Sequence, residues 1–258
     1  MKLPFSFHDL SVGYGPVPAL RNISGAIEAG KVTALIGPNG SGKSTLLKAL
    51  AGLIRYQGSL RLGSEEIKDL PRKKLGALLG MVAQQSAMKA DFQVYDVIAL
   101  GRLPYQGLLS PATPQDRARV LRAAEQADIE RFLFRRISEL SGGERQRVFI
   151  ALVLAQDPPV CLFDEPTSAL DPRQSLKVFA LLRELAALGK TVVAAVHDVH
   201  SALTGADAFL ALREGSLIAR GPVEGLDGNV LEKLYDVPFI PYISREGDTA
   251  WLPSIQSS

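Results

Sequence analysis

The chain has 258 residues, of which 47% are hydrophobic, with a net charge of +2 at pH 7 and one cysteine. This length supports a full hydrophobic core and fits one α/β domain with an insertion, or two small lobes. The near-neutral net charge gives no electrostatic indication of nucleic-acid or anionic-membrane binding. The single cysteine, Cys161, cannot form an intrachain disulfide, which favours a reducing compartment. Because it lies inside an apolar run, we expect its thiol to be buried and inert.

The N-terminal segment predicts neither an export signal nor a membrane span. The first ten residues contain no sustained apolar stretch of the kind that signal peptides require. The longest uninterrupted apolar run of the chain, residues 148–155, is far shorter than the roughly 18 residues that a spanning helix needs. A role at a membrane is therefore expected to depend on a partner.

The first third of the chain predicts β-structure. Within residues 3–36, Phe5 and Phe7 alternate with Ser6 and His8, which is the period of a half-buried strand. Other short apolar or alternating runs predict strands over 32–36, 59–62 and 78–83, and a helix over 45–51 after a glycine-rich loop.

Residues 86–157 change to a helical pattern and predict an inserted helical segment. Thr113 followed by Pro114 and Asp116 is typical of a helix N-terminus, with a cap residue, proline at the first helical position and an acid in the first turn. This helix is predicted to end at about Ala127. Basic and acidic residues nearly balance here, which favours a solvated helical surface over a nucleic-acid patch.

The order strand, helix, strand appears after the insert and predicts parallel strands, and hence an α/β core. The predicted elements are strands over 160–163 and 191–196 and, between them, a helix over 172–188 that ends at Gly189. Residues 209–220 predict two strands around a turn at Glu214-Gly215. The segment after Pro238 is too short and polar for a second domain.

The strongest chemical signal is the phosphate loop, the run Gly37-Pro38-Asn39-Gly40-Ser41-Gly42-Lys43-Ser44, which matches GxxxxGKS between a predicted strand and a predicted helix. Its glycines let successive N–H groups curl around phosphate oxygens, and Lys43 adds a charge for the β- and γ-phosphates. The Ser44 hydroxyl can ligate Mg²⁺. A glycine-rich turn with a chance lysine is the alternative, which the flanking strand and helix disfavour.

Asp164 and Glu165 follow the apolar run 160–163. Asp164 is thereby placed at the carboxyl edge of a buried strand, where α/β sheets bind ligands. An extended chain points adjacent side chains to opposite sides, so we expect one carboxylate to serve Mg²⁺ and the other to serve the attacking water. Taken alone, the pair is equally consistent with an acidic strand end that begins a turn before Pro166.

Ser141-Gly142-Gly143-Glu144 predicts a capping box at a helix N-terminus, with Ser141 as the cap and Glu144 three residues later. Helix stability alone accounts for these two residues. The glycines each cost about 1 kcal/mol relative to alanine, which capping does not require but which suits a phosphate approaching the helix N-terminus. Both interpretations stay open for this segment alone.

Read together, the motifs resemble the ATP-binding subunit of ATP-binding-cassette (ABC) transporters. In chain order they are Tyr14, GPNGSGKST at 37–45, Gln84, LSGGE at 140–144, VCLFDEP at 160–166, SALD at 168–171 and His197. The resemblance spans residues 3–225. It departs from the common pattern at Glu144, where Gln is frequent, and at Ala83, where Pro often precedes the glutamine.

The resemblance implies an α/β fold, a P-loop NTPase cassette with a RecA-like core, an antiparallel β subdomain and a helical subdomain, as one ATPase domain over residues 1–258. The implied parts are the core with its β subdomain over 1–85 and 158–240, the helical subdomain with the signature segment (residues 140–144) over 86–157, and a short C-terminal tail over 241–258.

The resemblance also implies a role for each matching residue. ATP is expected to contact Tyr14, Gly37, Pro38, Asn39, Gly40, Ser41, Gly42, Lys43, Ser44 and Thr45, with Tyr14 stacked on adenine. Mg²⁺ is expected to be held by Ser44, Gln84 and Asp164. The expected catalytic residues are Glu165, which activates water, His197, which contacts the γ-phosphate, and Gln84, which senses it. Ser141, Gly142 and Gly143 are expected to act on ATP held by a second copy, with Asp171 linking the two sites.

Three of these assignments have alternatives. Tyr14 is also consistent with a packed surface aromatic residue. Gln84 competes with Gln85, although its spacing to the later importer-like segment favours Gln84. His197 and His200 stand three residues apart like metal ligands, but no Cys or further His follows to complete a zinc site.

The implied function is that of the ATP-hydrolysing subunit of a membrane importer. Residues 99–105 and 152–159 resemble the subfamily that serves ferric siderophore, haem and cobalamin uptake, so iron-siderophore import is the expected function. The alternatives are a metal-ion importer, a separate-chain exporter, and a soluble ABC ATPase that acts on nucleic acid or ribosomes. The last is disfavoured by the lack of long heptad repeats and of a second cassette.

The expected partners follow from the same resemblance. They are a second copy of the chain in the ATP-bound state, integral membrane permease subunits and, indirectly, a substrate-binding protein, with no nucleic acid. The expected location is the cytoplasmic face of the inner membrane, as a peripheral subunit. Residues 86–110 are expected to receive a cytoplasmic helix of the permease.

Overall fold

The computed structural model describes residues 5–15, 17–83, 91–106, 111–243 and 249–254. Gln84 and Gln85 therefore lie outside the described residues. The strands are β1 (Phe5–Tyr14), β2 (Val17–Ile27), β3 (Val32–Ile36), β4 (Gln57–Leu62), β5 (Glu65–Glu66), β6 (Leu79–Val82), β7 (Val160–Asp164), β8 (Thr191–Ala195), β9 (Ala208–Arg213), β10 (Ser216–Pro222), β11 (Phe239–Ile243) and β12 (Thr249–Pro253). The helices are α1 (Lys43–Leu50), α2 (Arg72–Leu78), α3 (Val94–Ala99), α4 (Pro114–Gln126), α5 (Gly142–Gln156), α6 (Pro172–Ala187), α7 (Val199–Gly205) and α8 (Gly228–Tyr235).

The central sheet confirms the predicted parallel core. Its order within the described residues is β10-β9-β3-β8-β7-β6, with parallel pairing everywhere except between β10 and β9. Strands β3, β7 and β8 are buried along their whole length. One face packs against α1 and the antiparallel sheet, and the other packs against α5, α6, α7 and α8. The carboxyl ends of β3 and β7 therefore meet at one edge, where the loops that follow them can form a site.

The antiparallel sheet has the order β2-β1-β4-β5. Phe5 and Phe7 are buried while Ser6 and His8 are exposed, so the alternation predicted for this segment is confirmed. The long hairpin of β1 and β2 lies beside the loop that follows β3. A Cβ at Gly42, in that loop, would lie only 2.8 Å from the carbonyl oxygen of Ala19 in β2.

The helical segment has its own apolar core, formed by α3, α4 and α5. Thr113 caps α4 through a complete capping box with Asp116, and Pro114 is the first helical residue, as predicted. Among the described residues, no helix has both the length and the apolar character that crossing a bilayer requires.

The C-terminal region contains structure that the sequence analysis did not predict. Helix α8 packs against the core, and β11 pairs with β12 as an antiparallel hairpin within the predicted tail. Phe239 and Trp251 anchor this hairpin, because both pack against the core cluster beneath α8. The periodicity of a two-stranded hairpin with one solvated face is weak in sequence, which explains the omission.

Candidate nucleotide site

The phosphate loop joins β3 to α1, and its shape requires glycine at two positions. Gly37 has φ 146°, and a Cβ there would lie 2.0 Å from the Leu212 carbonyl oxygen. Gly42 has φ 107° and packs against β2. Only glycine combines this backbone conformation with so close an approach. The close contact between Gly37 and the Leu212 carbonyl involves none of the sequence motifs, so the sequence did not predict it.

Lys43 lies inside the loop, with 5% of its surface exposed. Its Nζ donates hydrogen bonds to the carbonyl oxygens of Gly37 at 2.7 Å and Pro38 at 3.1 Å. Burial lowers the pKa of Lys43, while the carboxylates of Glu165 and Asp164 oppose the shift. The loop therefore holds a cation close to its own backbone.

The loop also presents polar groups that suit a polyphosphate. The N-terminus of α1 has no side-chain cap within the described residues, so its first N–H groups face the loop. The Ser41 hydroxyl is buried and has no hydrogen-bond partner in the described part of the chain. Donors of this kind at a helix N-terminus, beside a lysine, bind phosphate oxygens.

Ser44 and Asp164 meet beside the loop. The Ser44 Oγ donates a hydrogen bond of 2.9 Å to Asp164 Oδ1. Burial raises the pKa of Asp164, and Glu165 adds to the rise, while the Ser44 hydrogen bond opposes it. A hydroxyl and a carboxylate oxygen are the hard ligands that Mg²⁺ prefers, and the ion commonly completes its shell with water and substrate phosphates. The pair therefore fits a phosphate-bound Mg²⁺.

Glu165 and His197 form a second pair. The His197 Nε2 lies 2.5 Å from Glu165 Oε1; Glu165 is buried, whereas the imidazole is 42% exposed. Glu165 has φ 53°, so the extended geometry predicted for both carboxylates was wrong for this residue. The left-handed backbone at Glu165, rather than strand alternation, separates its side chain from that of Asp164.

The capping box predicted for the signature segment is confirmed at the N-terminus of α5. Glu144 N–H donates to Ser141 Oγ at 3.3 Å, and Ser141 N–H donates to the Glu144 carboxylate at 2.9 Å. Gly143 has a packing reason as well, since a Cβ there would lie 3.0 Å from the Ala169 carbonyl oxygen. Ser141 is exposed, and among the described residues no hydrogen bond joins it to the phosphate loop.

Three further predicted residues, Tyr14, Asp171 and Cys161, are described by their local contacts and exposure. Tyr14 ends β1, is 53% exposed and pairs with Val17 across the hairpin. Asp171 caps α6 by accepting a hydrogen bond of 2.8 Å from Gln174 N–H. Cys161 is buried, as predicted, and burial raises the pKa of its thiol to about 12.

The model of the family described as "ABC transporter" matches residues 20–168. Curated relatives include the ferric enterobactin transport ATP-binding protein FepC of Escherichia coli, 37% identical over 88% of this chain and 84% of that protein. The hemin import ATP-binding protein HmuV of Streptomyces coelicolor is 38% identical over 89% and 82%. The manganese transport system ATP-binding protein MntB of Listeria monocytogenes is 37% identical over 83% and 88%.

Solved structures agree with these relatives. An inward-facing metal-chelate type ABC transporter has a TM-score of 0.85 and 26% identity, covering 99% of this chain and 98% of its own. A dimeric ATP-binding cassette in a post-hydrolysis state, bound to ADP and Pi, has a TM-score of 0.77 and 30% identity, covering 86% and 100%. The chain belongs to the ABC transporter family, as one of its ATP-hydrolysing cassettes.

Proposed function

We propose that this chain is the ATPase subunit of a membrane importer for iron-siderophore complexes, with haem and cobalamin as related cargoes. The observation that carries the ATPase role is the meeting of two pairs, Ser44 with Asp164 and Glu165 with His197, around the phosphate loop. The cargo assignment is supported by relatives named for ferric enterobactin and hemin and by the metal-chelate transporter. The manganese relative supports a metal-ion importer as the second candidate.

The proposed mechanism assigns one task to each part of the site. Tyr14 stacks on adenine, and the phosphate loop with Lys43 binds the triphosphate through N–H groups and charge. Ser44 and Asp164 would hold Mg²⁺, which when bound supplies neutralising charge at the phosphates. Gln84 is proposed to join them.

Hydrolysis is proposed to depend on the second pair. Glu165 accepts a proton from the water that attacks the γ-phosphorus, and ADP departs as the bond to the γ-phosphate breaks. His197 contacts the γ-phosphate and orients the Glu165 carboxylate at 2.5 Å. Since Glu165 is buried, it needs little reorganisation when water and phosphate arrive.

The site is proposed to be completed by a second copy. Ser141 is exposed, so it is available to ATP bound by another chain, with Gly142 and Gly143 beside it. The dimer of the solved cassette bound to ADP and Pi supports this arrangement. ATP-driven closure of the dimer would move permease subunits at the cytoplasmic face of the inner membrane, and hydrolysis would reset them.

One experiment tests the whole proposal. The chain is purified with its membrane partner and reconstituted in vesicles. ATP hydrolysis is measured with binding protein loaded with ferric siderophore, haem, cobalamin or manganese, or with DNA or ribosomes in place of binding protein. Stimulation by ferric siderophore is the expected result. Stimulation by manganese alone would establish the second candidate, and stimulation only by DNA or ribosomes would overturn an import role.

A further inference from the structure

Tyr235, the last residue of α8, reaches the phosphate loop from the C-terminal part of the chain. Its hydroxyl is buried and has no hydrogen bond of good geometry within the described residues. The Gly37 N–H and the Asp198 carboxylate lie near it: burial raises the pKa of Tyr235, the Gly37 N–H opposes the rise, and Asp198 adds to it. The buried Tyr235 hydroxyl thus lies near the Gly37 N–H of the phosphate loop but forms no well-aligned hydrogen bond with it.

The position of Tyr235 is tied to the same strand that shapes the loop. Arg213, the last residue of β9, donates to the Lys233 carbonyl oxygen at 2.7 Å and to Asp236 Oδ2 at 2.6 Å, which fastens the end of α8. The carbonyl oxygen of the preceding residue, Leu212, packs closely against Gly37. The end of β9 therefore contacts both Gly37, the first glycine of the phosphate loop, and the end of α8, where Tyr235 lies.

The C-terminal hairpin supports α8 from the other side. The Phe239 ring lies 5.7 Å from the Tyr235 ring, and a Cβ at Gly228 would come within 2.9 Å of Trp251. The aromatic ring of Tyr235 is thus packed in place, which leaves its hydroxyl little freedom to find another partner. A small shift of the loop toward the hydroxyl would give the Tyr235 hydroxyl a hydrogen-bond partner, and the cost of an unpaired buried polar group favours such a shift.

We propose that Tyr235 is a positioning residue for the phosphate loop, whose hydroxyl accepts a hydrogen bond from the Gly37 N–H when ATP is bound. The inference rests on the proposed function, because it concerns ATP held by this loop. It assigns the C-terminal helix and hairpin a role in nucleotide affinity, although neither contributes a recognised nucleotide motif.

The test is Tyr235→Phe in the full chain, which keeps the ring and removes the hydroxyl. Loss of one hydrogen bond that forms with ATP predicts an increase of about three- to tenfold in the Kd for Mg-ATP, measured by calorimetry. The melting temperature without nucleotide and kcat at saturating ATP are expected to stay at the wild-type values. The rise in melting temperature caused by ATP is expected to shrink.

Tyr56→Phe is the matched control. The Tyr56 hydroxyl accepts from Lys68 N–H at 3.1 Å and donates to the Leu60 carbonyl oxygen, so its removal is expected to lower the melting temperature without changing the Kd. Asp236→Asn is a second route to the same result, because it weakens the anchor of α8 and should raise the Kd in the same direction.

The outcomes are distinct. A Kd that stays at the wild-type value in both Tyr235→Phe and Asp236→Asn overturns the inference. In Tyr235→Phe, an increased Kd accompanied by an equal fall in nucleotide-free stability also overturns it, because that pattern indicates a purely structural role. Wild-type protein that fails to bind Mg-ATP would instead overturn the proposed function.

Discussion

Asp164 and Glu165 are neighbours in the chain, yet their side chains meet different partners. Asp164 ends β7 and bonds to Ser44, whereas Glu165 leaves the strand with φ 53° and meets His197. This separation keeps two carboxylates at one site without forcing them to share a proton or a metal. At the scale of single residues, the backbone conformation of Glu165 separates the proposed base from Asp164, the proposed metal ligand.

Glu165→Gln is expected to leave ATP binding intact and to reduce turnover by about 10²- to 10⁴-fold, because an amide does not accept the proton of the attacking water. Trapped ATP should also increase the dimer fraction in gel filtration. Phosphate release and the Kd for Mg-ATP are measured, with the exposed Glu224→Gln as the control. Turnover near the wild-type rate would remove Glu165 as the base.

Asp116 gives a prediction on pH and stability. The Arg102 side chain and the hydrogen bonds from Thr113 lower the pKa of Asp116 to about 2 from 3.8. A lowered folded-state pKa stabilises the protein above pH 3.8, and this contribution is lost as the pH falls from there towards 2. Asp116→Asn should therefore flatten the fall of the free energy of unfolding in this range, measured by denaturant titration. An unchanged slope would contradict it.

At the scale of the element, α5 begins at the signature segment with the same cap that begins α4. Ser141 with Glu144 and Thr113 with Asp116 both form complete capping boxes. The two helices therefore separate the cost of a lost cap from any role in hydrolysis. Such a comparison is needed because capping alone accounts for the position of Ser141.

Ser141→Ala and Thr113→Ala should each cost about 1 kcal/mol in the free energy of unfolding, since each removes one N-cap. Only Ser141→Ala is expected to lower ATP hydrolysis markedly, because its hydroxyl has the proposed second role across the dimer. Urea titrations and hydrolysis assays on both variants measure the two effects. Equal hydrolysis in the two variants would leave Ser141 with capping alone.

At the scale of the whole molecule, one chain presents a phosphate loop and an exposed signature segment that no described hydrogen bond connects. Head-to-tail pairing of two chains would bring each signature segment to the other chain's loop, so that symmetry produces two equivalent sites. ATP hydrolysis should then depend on whether substitutions in the phosphate loop and in the signature segment fall in the same composite site of the dimer.

Lys43→Ala and Ser141→Arg chains should each be inactive alone. Equal mixing should restore about a quarter of the wild-type rate, because about half of the dimers are mixed and each of these has one intact site. Hydrolysis is measured before and after mixing. Normal turnover by Ser141→Arg alone would show that the signature segment does not act across the dimer.

Features that depend on neighbouring residues could be predicted before the fold was known. Strand periodicity in β1, the phosphate loop and both capping boxes are local patterns, and the order of motifs identified the family. Which distant residues meet is visible only in the folded chain: Ser44 and Asp164 are 120 positions apart, the Leu212 carbonyl lies against Gly37, and Tyr235 lies near the same loop. Periodicity encodes which face of an element is buried, whereas strand order and backbone conformation, such as that of Glu165, arise from packing between elements distant in the chain.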